Sequence, residues 1–117
     1  MKWIALFLAL CVNLASFNQS DEQRAKTIDS LKTIAESDAH DTVRIRAYYQ
    51  WDELIYLDDV LLDIEINEHI SDIATDNLKR SVVNSREYKY CYWAKTNSYN
   101  LIGLAQNDLG DFLAAQE

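Results

Sequence analysis

Proline is absent from the 117 residues, and glycine occurs only twice, at 103 and 110. Both residues are the usual punctuation of sheets, hairpins and loop-rich folds, so their scarcity speaks against such folds. Runs of β-branched residues are also few. What remains is a chain in which helix formers are rarely interrupted, and an all-α class is the natural expectation. Cysteine is nearly absent too, with Cys11 near the start and Cys91 far from it. Positive charge is short: 11 Lys+Arg stand against 19 Asp+Glu, a formal net charge of −8. A surface with that balance repels phosphate backbones, which disfavours nucleic acid as a partner.

The apolar fraction, 49%, is ample for the core of one small domain. Residues 1–20 read differently from the rest. Lys2 gives a positive start, Trp3 to Val12 is an unbroken apolar run, and Asn13 to Ser20 is small and polar. That is the layout of a secretory signal peptide, with cleavage after Ser16 or Ser20. The run is short for a membrane span of roughly 20 residues, and an uncleaved anchor is the alternative. A lipoprotein signal at Cys11 is disfavoured by the bulky Leu10 before it. The expected location is therefore the periplasmic or extracellular side of a membrane. Without the segment the charge is −9, from 10 Lys+Arg (11 less Lys2) against 19 Asp+Glu. Cys91 then stands alone among Tyr90, Tyr92 and Trp93, which predicts a buried core thiol.

Apolar residues at steps of three and four predict four helices and the opening of a fifth. The first runs from about Asp21 to Ala35, with Ser20 and Gln23 at capping-box spacing and Ala25, Ile28, Leu31 and Ile34 or Ala35 on one face. The polar segment 37–41 is a break. A second helix, Thr42 to about Leu57, carries Val43, Ala47, Trp51, Leu54 and Ile55. A third, about Val60 to Arg80, carries Leu62, Ile66, Ile70, Ile73 and Asn77, widened by Leu61, Ala74 and Leu78. Asp58, Asp59 and Asp63 suit the positive N-terminal end of that helix. Asn84 and Glu87 suggest a capping box for a long helix over 85–109, with Tyr88, Cys91, Lys95, Tyr99 and Ile102 along one side. Gly110 is placed to end it, Asp111 to cap another, and Phe112 and Ala115 to open a new apolar stripe.

The stretch from Tyr99 to Ala115 resembles the tetratricopeptide repeat, whose pattern is W-x2-L-G-x2-Y followed by small and aromatic positions over about 34 residues. Tyr99 stands at the Trp position, Ile102 at the Leu, Gly103 at the Gly, Gly110-Asp111 at the turn, and Ala115 at the small position of the second helix. Gln106 departs from the Tyr, and the match covers about two-thirds of one repeat. Trp51 and Leu54 echo the same signature 48 residues earlier (99 − 51), with Ile55 and Asp58 at the Gly and Tyr positions. The resemblance implies antiparallel helical hairpins of an α-solenoid, truncated in the last repeat. Residues 21–84 would hold a degenerate repeat and 85–117 an incomplete hairpin.

Further repeats of the same chain, or a protein or peptide partner, would then cover the open face. Asn97, Asn100, Leu104 and Asn107 match the groove-lining stripe of such repeats. Asparagine amides both donate and accept, which suits an extended peptide. A polar face turned to water is the competing account. The chain is similar to the N-terminal region of tetratricopeptide sensor proteins of Bacteroidetes, in which exported repeats precede a membrane span and an output such as a histidine kinase. Asp41-Thr42-Val43-Arg44 and the Trp51 helix contribute to that likeness. It implies signal transduction of the two-component type, with any membrane contact confined to the signal segment or a downstream span.

No Gly-rich phosphate loop, nucleophile elbow or Cys/His constellation is present. Glu65, His69 and Asp72 share one helical face, but an exposed ion pair is the expectation for His69 rather than a metal site. His40 sits in a cap-rich turn. No catalytic role, cofactor or metal is assigned. A free-standing secreted helical protein that self-associates is the alternative.

Overall fold

The computed structural model describes residues 20–116 of the chain, and among these it is all-α, with four helices and no strand. The signal segment expected over 1–20 lies outside the described residues, apart from Ser20, which is already helical. Helix α1 covers residues 20–35, α2 Asp41–Ile55, α3 Val60–Arg80 and α4 Arg86–Gln116. The chain divides into two compact units, Met1–Ser30 and Leu31–Glu117. The described part of the first is the exposed stretch 20–30, with Ile28 half-buried. All that follows concerns the second, Leu31–Glu117.

Each helix start has a local cause. His40 caps α2: its Nδ1 accepts from the Thr42 amide at 3.2 Å and lies 2.9 Å from Thr42 Oγ1. Asp59 caps α3 by accepting from the Leu62 amide at 3.0 Å. Lys79 and Arg80 lie in the last turn of α3, where positive charge complements the helix dipole. The cap of α4 falls one residue later than expected. Ser85 Oγ accepts from the Tyr88 amide at 3.1 Å, while Asn84 adopts φ 66° in the preceding turn. Asparagine tolerates that left-handed backbone better than most residues, so here it turns the chain and leaves the capping to serine. Glu87 is thereby free for other partners.

Helix α3 is the central element. At one end Asn77 Nδ2 donates to Asp41 Oδ2 of α2 at 3.0 Å and to Glu87 Oε1 of α4 at 2.6 Å. Further along, the Tyr49 hydroxyl of α2 meets Ala94 and Ser98 of α4, and Asp52 of α2 meets Asn67 of α3. Helices α2 and α4 therefore run parallel to each other, and α3 runs antiparallel to both. The core takes Ile45, Tyr48, Trp51 and Ile55 from α2, Ile66, Ile70 and Ala74 from α3, and Cys91, Ala94 and Ala105 from α4. Ala35 joins it, and its carbonyl accepts from Arg44 Nε at 2.9 Å.

Two sequence expectations are corrected. The hairpin turn at Gly110-Asp111 does not form: α4 continues through it to Gln116. Neither glycine has a positive φ, and a Cβ built on either meets nothing within 4 Å. A glycine inside a helix costs only about 1 kcal/mol relative to alanine. The helix formers on both sides of Gly110 outweigh that cost. Arg86–Gln116 is thus one helix, where an incomplete hairpin was expected.

The buried line of α4 is also rotated by one residue from the expected one. It runs through Cys91, Ala94, Ser98 and Ala105, while Tyr99 is 58% exposed and Ile102 half-buried. Small side chains on α4 let the axes of α3 and α4 approach, with Ile66, Ile70 and Ala74 buried on α3. A tyrosine on that seam would hold them apart. Val43 and Leu61, assigned to apolar faces, are exposed as well.

Candidate functional site: a groove between α2 and α4

Because α2 and α4 lie parallel on either side of α3, a furrow opens between them. Its volume is about 580 Å³, within the range of ligand-binding clefts. Helix α2 contributes Arg46, Tyr49, Asp52 and Glu53, its C-cap Tyr56 follows, and α4 contributes Tyr90, Trp93, Asn97 and Leu101. The steps of three and four on each helix are what put these side chains on one face.

The aromatic part is ordered by ring contacts and one hydroxyl. Trp93 packs against Tyr49 at 5.6 Å and against Tyr90 at 5.9 Å between ring centroids. Tyr49 Oη donates to the Ala94 carbonyl at 3.0 Å, which leaves its lone pairs for Ser98 Oγ at 3.0 Å and Asn97 Nδ2 at 3.3 Å. One phenol thus ties the two outer helices together and fixes the Asn97 amide. Burial raises the Tyr90 phenol above its ordinary value, with Arg46 beside it acting in the opposite direction.

The floor holds a buried carboxyl. Asp52 is 6% exposed, and its Oδ2 accepts from Asn67 Nδ2 at 3.1 Å. The same amide nitrogen lies 2.9 Å from Asp63 Oδ1 and 2.9 Å from the Asp63 carbonyl. Three acceptors share its two N–H bonds, so Asp52 and Asp63 are incompletely served. Burial, then the hydrogen bond with Asp63, pushes the Asp52 carboxyl from 3.8 up to about 7. Near neutrality it is partly protonated and donates to Asp63.

A second polar cluster lies at the N-termini of α2 and α4. Asp41 accepts from Asn77 and from Arg80 Nη2, the latter at 2.9 Å, and His40 Nε2 faces Glu87 Oε1 at 3.3 Å. With His40 Nδ1 accepting from Thr42, the proton sits on Nε2, the nitrogen that faces the carboxylate. Cys91 is fully buried beneath this cluster, and its thiol is pushed up to about 11, first by burial and then by Glu87 and Asp41. The buried core thiol expected from the sequence is what the fold contains.

Of the proposed peptide-binding stripe, Asn97 lines this groove. Asn100 lines a shallower furrow of about 380 Å³ on the other side of α4, with Leu78, Tyr92 and Tyr99. Leu104 and Asn107 are exposed beyond the residues lining either one. Among the repeat-defining positions Trp51 is buried, Leu54 half-buried and Gly103 exposed, and the side chain of Ala115 is outside the described residues. His69 pairs with Glu65 at 3.8 Å, as expected, and stacks on Tyr48 at 5.5 Å. No group of three or more His, Cys, Asp or Glu among the described residues is placed to hold a metal ion. No described helix is long and apolar enough to cross a membrane.

Sequence reasoning missed Tyr49 and Asp52. The signal for Asp52 was a carboxylate inside the Tyr48–Trp51–Ile55 stripe, on a face where an acid is costly without a partner. Compared with known proteins, the chain matches no family model, no curated protein and no solved structure.

Proposed function

We propose that this chain is a non-catalytic helical scaffold that binds a protein or an extended peptide segment along the α2/α4 groove. The observation that carries the proposal is the groove itself: two parallel helices spaced by an antiparallel third, with tyrosines, a tryptophan and a fixed asparagine amide facing outward. Aromatic side chains supply large rigid contact area, and the amide of Asn97 offers a backbone both a donor and an acceptor. The order α2–α3–α4 is also what two successive first helices of a repeat scaffold, separated by one second helix, would give. In that sense Trp51 and Tyr99, one on each parallel helix, keep the tetratricopeptide likeness even though the turn at Gly110 is absent.

The broader role that fits is the extracytoplasmic N-terminal part of a two-component type sensor, with partner binding read out elsewhere. Two measurements test these levels separately. A screen of random peptides against the full chain and its Trp93→Leu variant should return binders that lose affinity in the variant. Binders indifferent to Trp93, or none at all, would remove the groove as the site. For the sensor role, the reading frame beyond Glu117 should continue through further repeats into an apolar span and an output domain. A stop codon there would end that role.

A self-associating secreted protein is the second reading, favoured by one observation. Tyr92, Tyr99, Leu104 and Leu113 leave apolar surface exposed along α4. Sedimentation equilibrium decides it, a concentration-dependent dimer supporting it and a monomer overturning it.

A further inference from the structure

We infer that the α2/α4 groove recognises a cationic side chain, arginine or lysine, carried on the partner segment and seated between the aromatic walls above Asp52 and Glu53. The inference rests on the groove being the binding face proposed above, and adds the chemistry of what enters it.

The walls are the first observation. Tyr49, Tyr56, Tyr90 and Trp93 all line the groove, and Tyr56 and Trp93 are 48% and 52% exposed. Aromatic faces attract guanidinium and ammonium groups through the ring quadrupole, arginine more often than lysine. The second observation is the charge along the furrow. Arg46 is the one cation among the lining residues, and it lies against Tyr90. Asp52 is six residues further on, about 9 Å along the helix axis. The acidic half of the groove, Asp52 and Glu53 beside Tyr56, therefore meets no positive lining residue. The negative end of the α2 dipole lies in the same half.

The third observation is independent of surface charge. Asp52 is more than nine-tenths buried and lines the groove, yet its Oδ1 has no hydrogen-bond donor beside it. An ionised carboxylate so placed is expensive unless a positive donor supplies the missing interaction. A guanidinium reaching down between Tyr49 and Tyr56 has N–H groups to spare for both Asp52 and Glu53.

A proton is the competitor for that place. The charged and titratable groups around Asp52 are Asp63 on α3, Glu53, Arg46 and Tyr49 on α2, and Tyr90 on α4. When Asp52 is protonated it donates to Asp63, and the demand for a cation falls. Because a cation favours the ionised form, its affinity rises as pH climbs through the range in which Asp52 loses its proton.

The test uses the full chain, isotope-labelled, titrated by NMR with three tripeptides blocked at both ends: Ala-Arg-Ala, Ala-Gln-Ala and Ala-Glu-Ala. At about pH 8, Ala-Arg-Ala should give saturable shifts at the Trp93 indole N–H and the Asn97 side-chain amide. At about pH 5.5 its affinity should fall roughly tenfold, the size of one unit of differential ionisation. Asp52→Asn should remove that pH dependence. The exposed change Glu53→Gln should weaken binding severalfold with an unaltered circular dichroism spectrum, which keeps the test valid if the Asp52 variant misfolds. If Ala-Gln-Ala or Ala-Glu-Ala moves the same signals as strongly as Ala-Arg-Ala, cation recognition is overturned and the groove remains the binding face. If no tripeptide moves Trp93 or Asn97, the cation and the groove fall together.

Discussion

At Asp52 a carboxyl is retained inside the α2–α3 interface at a cost to the folded state. Its pKa is raised from 3.8 to about 7 by burial and by the bond with Asp63. The folded chain therefore binds an extra proton between those values, and this group's contribution to stability falls as pH rises through that window. Replacing it by Asn removes the charge but keeps the shape. Asp52→Asn should match the parent near pH 4 and exceed it by on the order of 2 kcal/mol near pH 8, measured by thermal denaturation across pH. Equal stabilities at every pH would mean that Asp52 ionises freely in the fold. Asn77 has the opposite character. Its amide serves Asp41 and Glu87 together, so Asn77→Ala takes one donor from each, leaving Asp41 to Arg80 and Glu87 to His40, and should cost about 1–3 kcal/mol in urea denaturation. A loss below a few tenths would show that water replaces the amide.

Among the elements, α4 departs most from its sequence pattern. Glycine at 110 followed by aspartate is a sound stop signal, and the resemblance to a repeat turn rested on it. In the fold both residues are ordinary helix interior. Gly110→Ala should then stabilise by about 0.5–1 kcal/mol and raise the helical signal in circular dichroism. A turn with a left-handed residue there would instead be destabilised by the same change, so the sign of the effect decides between helix and hairpin. The rotated seam gives a second prediction. Ser98 is fully buried on the narrow line of small residues of α4, its hydroxyl 3.0 Å from Tyr49 Oη. Ser98→Leu should overpack it, costing about 1–3 kcal/mol, whereas Tyr99→Ala, one position away and exposed, should change stability little. Helix existence was legible at this scale, because steps of three and four recur over long stretches. The α3 limits Val60 and Arg80 coincide with the expected ones. Seam position was less legible, because tyrosine on α4 satisfies an apolar pattern without fitting a tight one.

At the scale of the whole Leu31–Glu117 unit, Tyr49 is one tie between the two outer helices. Its hydroxyl serves Ala94, Ser98 and Asn97 at once. Tyr49→Phe should lower stability by about 1 kcal/mol and release the Asn97 amide, seen as faster exchange of its side-chain protons in NMR. An unchanged exchange rate would show that the aromatic packing, not the hydroxyl, spaces α2 from α4. By itself, the sequence determined the helical class, the acidity and the burial of Cys91, since each follows from composition or from the pattern within a few residues. Tertiary structure alone decided the rest. Whether glycine 110 ends a helix, which line of α4 is buried and which acid is trapped inside all depend on what lies across the interface. A local pattern carries no record of the opposing surface, and that is where the roles of Asp52, Tyr49 and the groove they line were set.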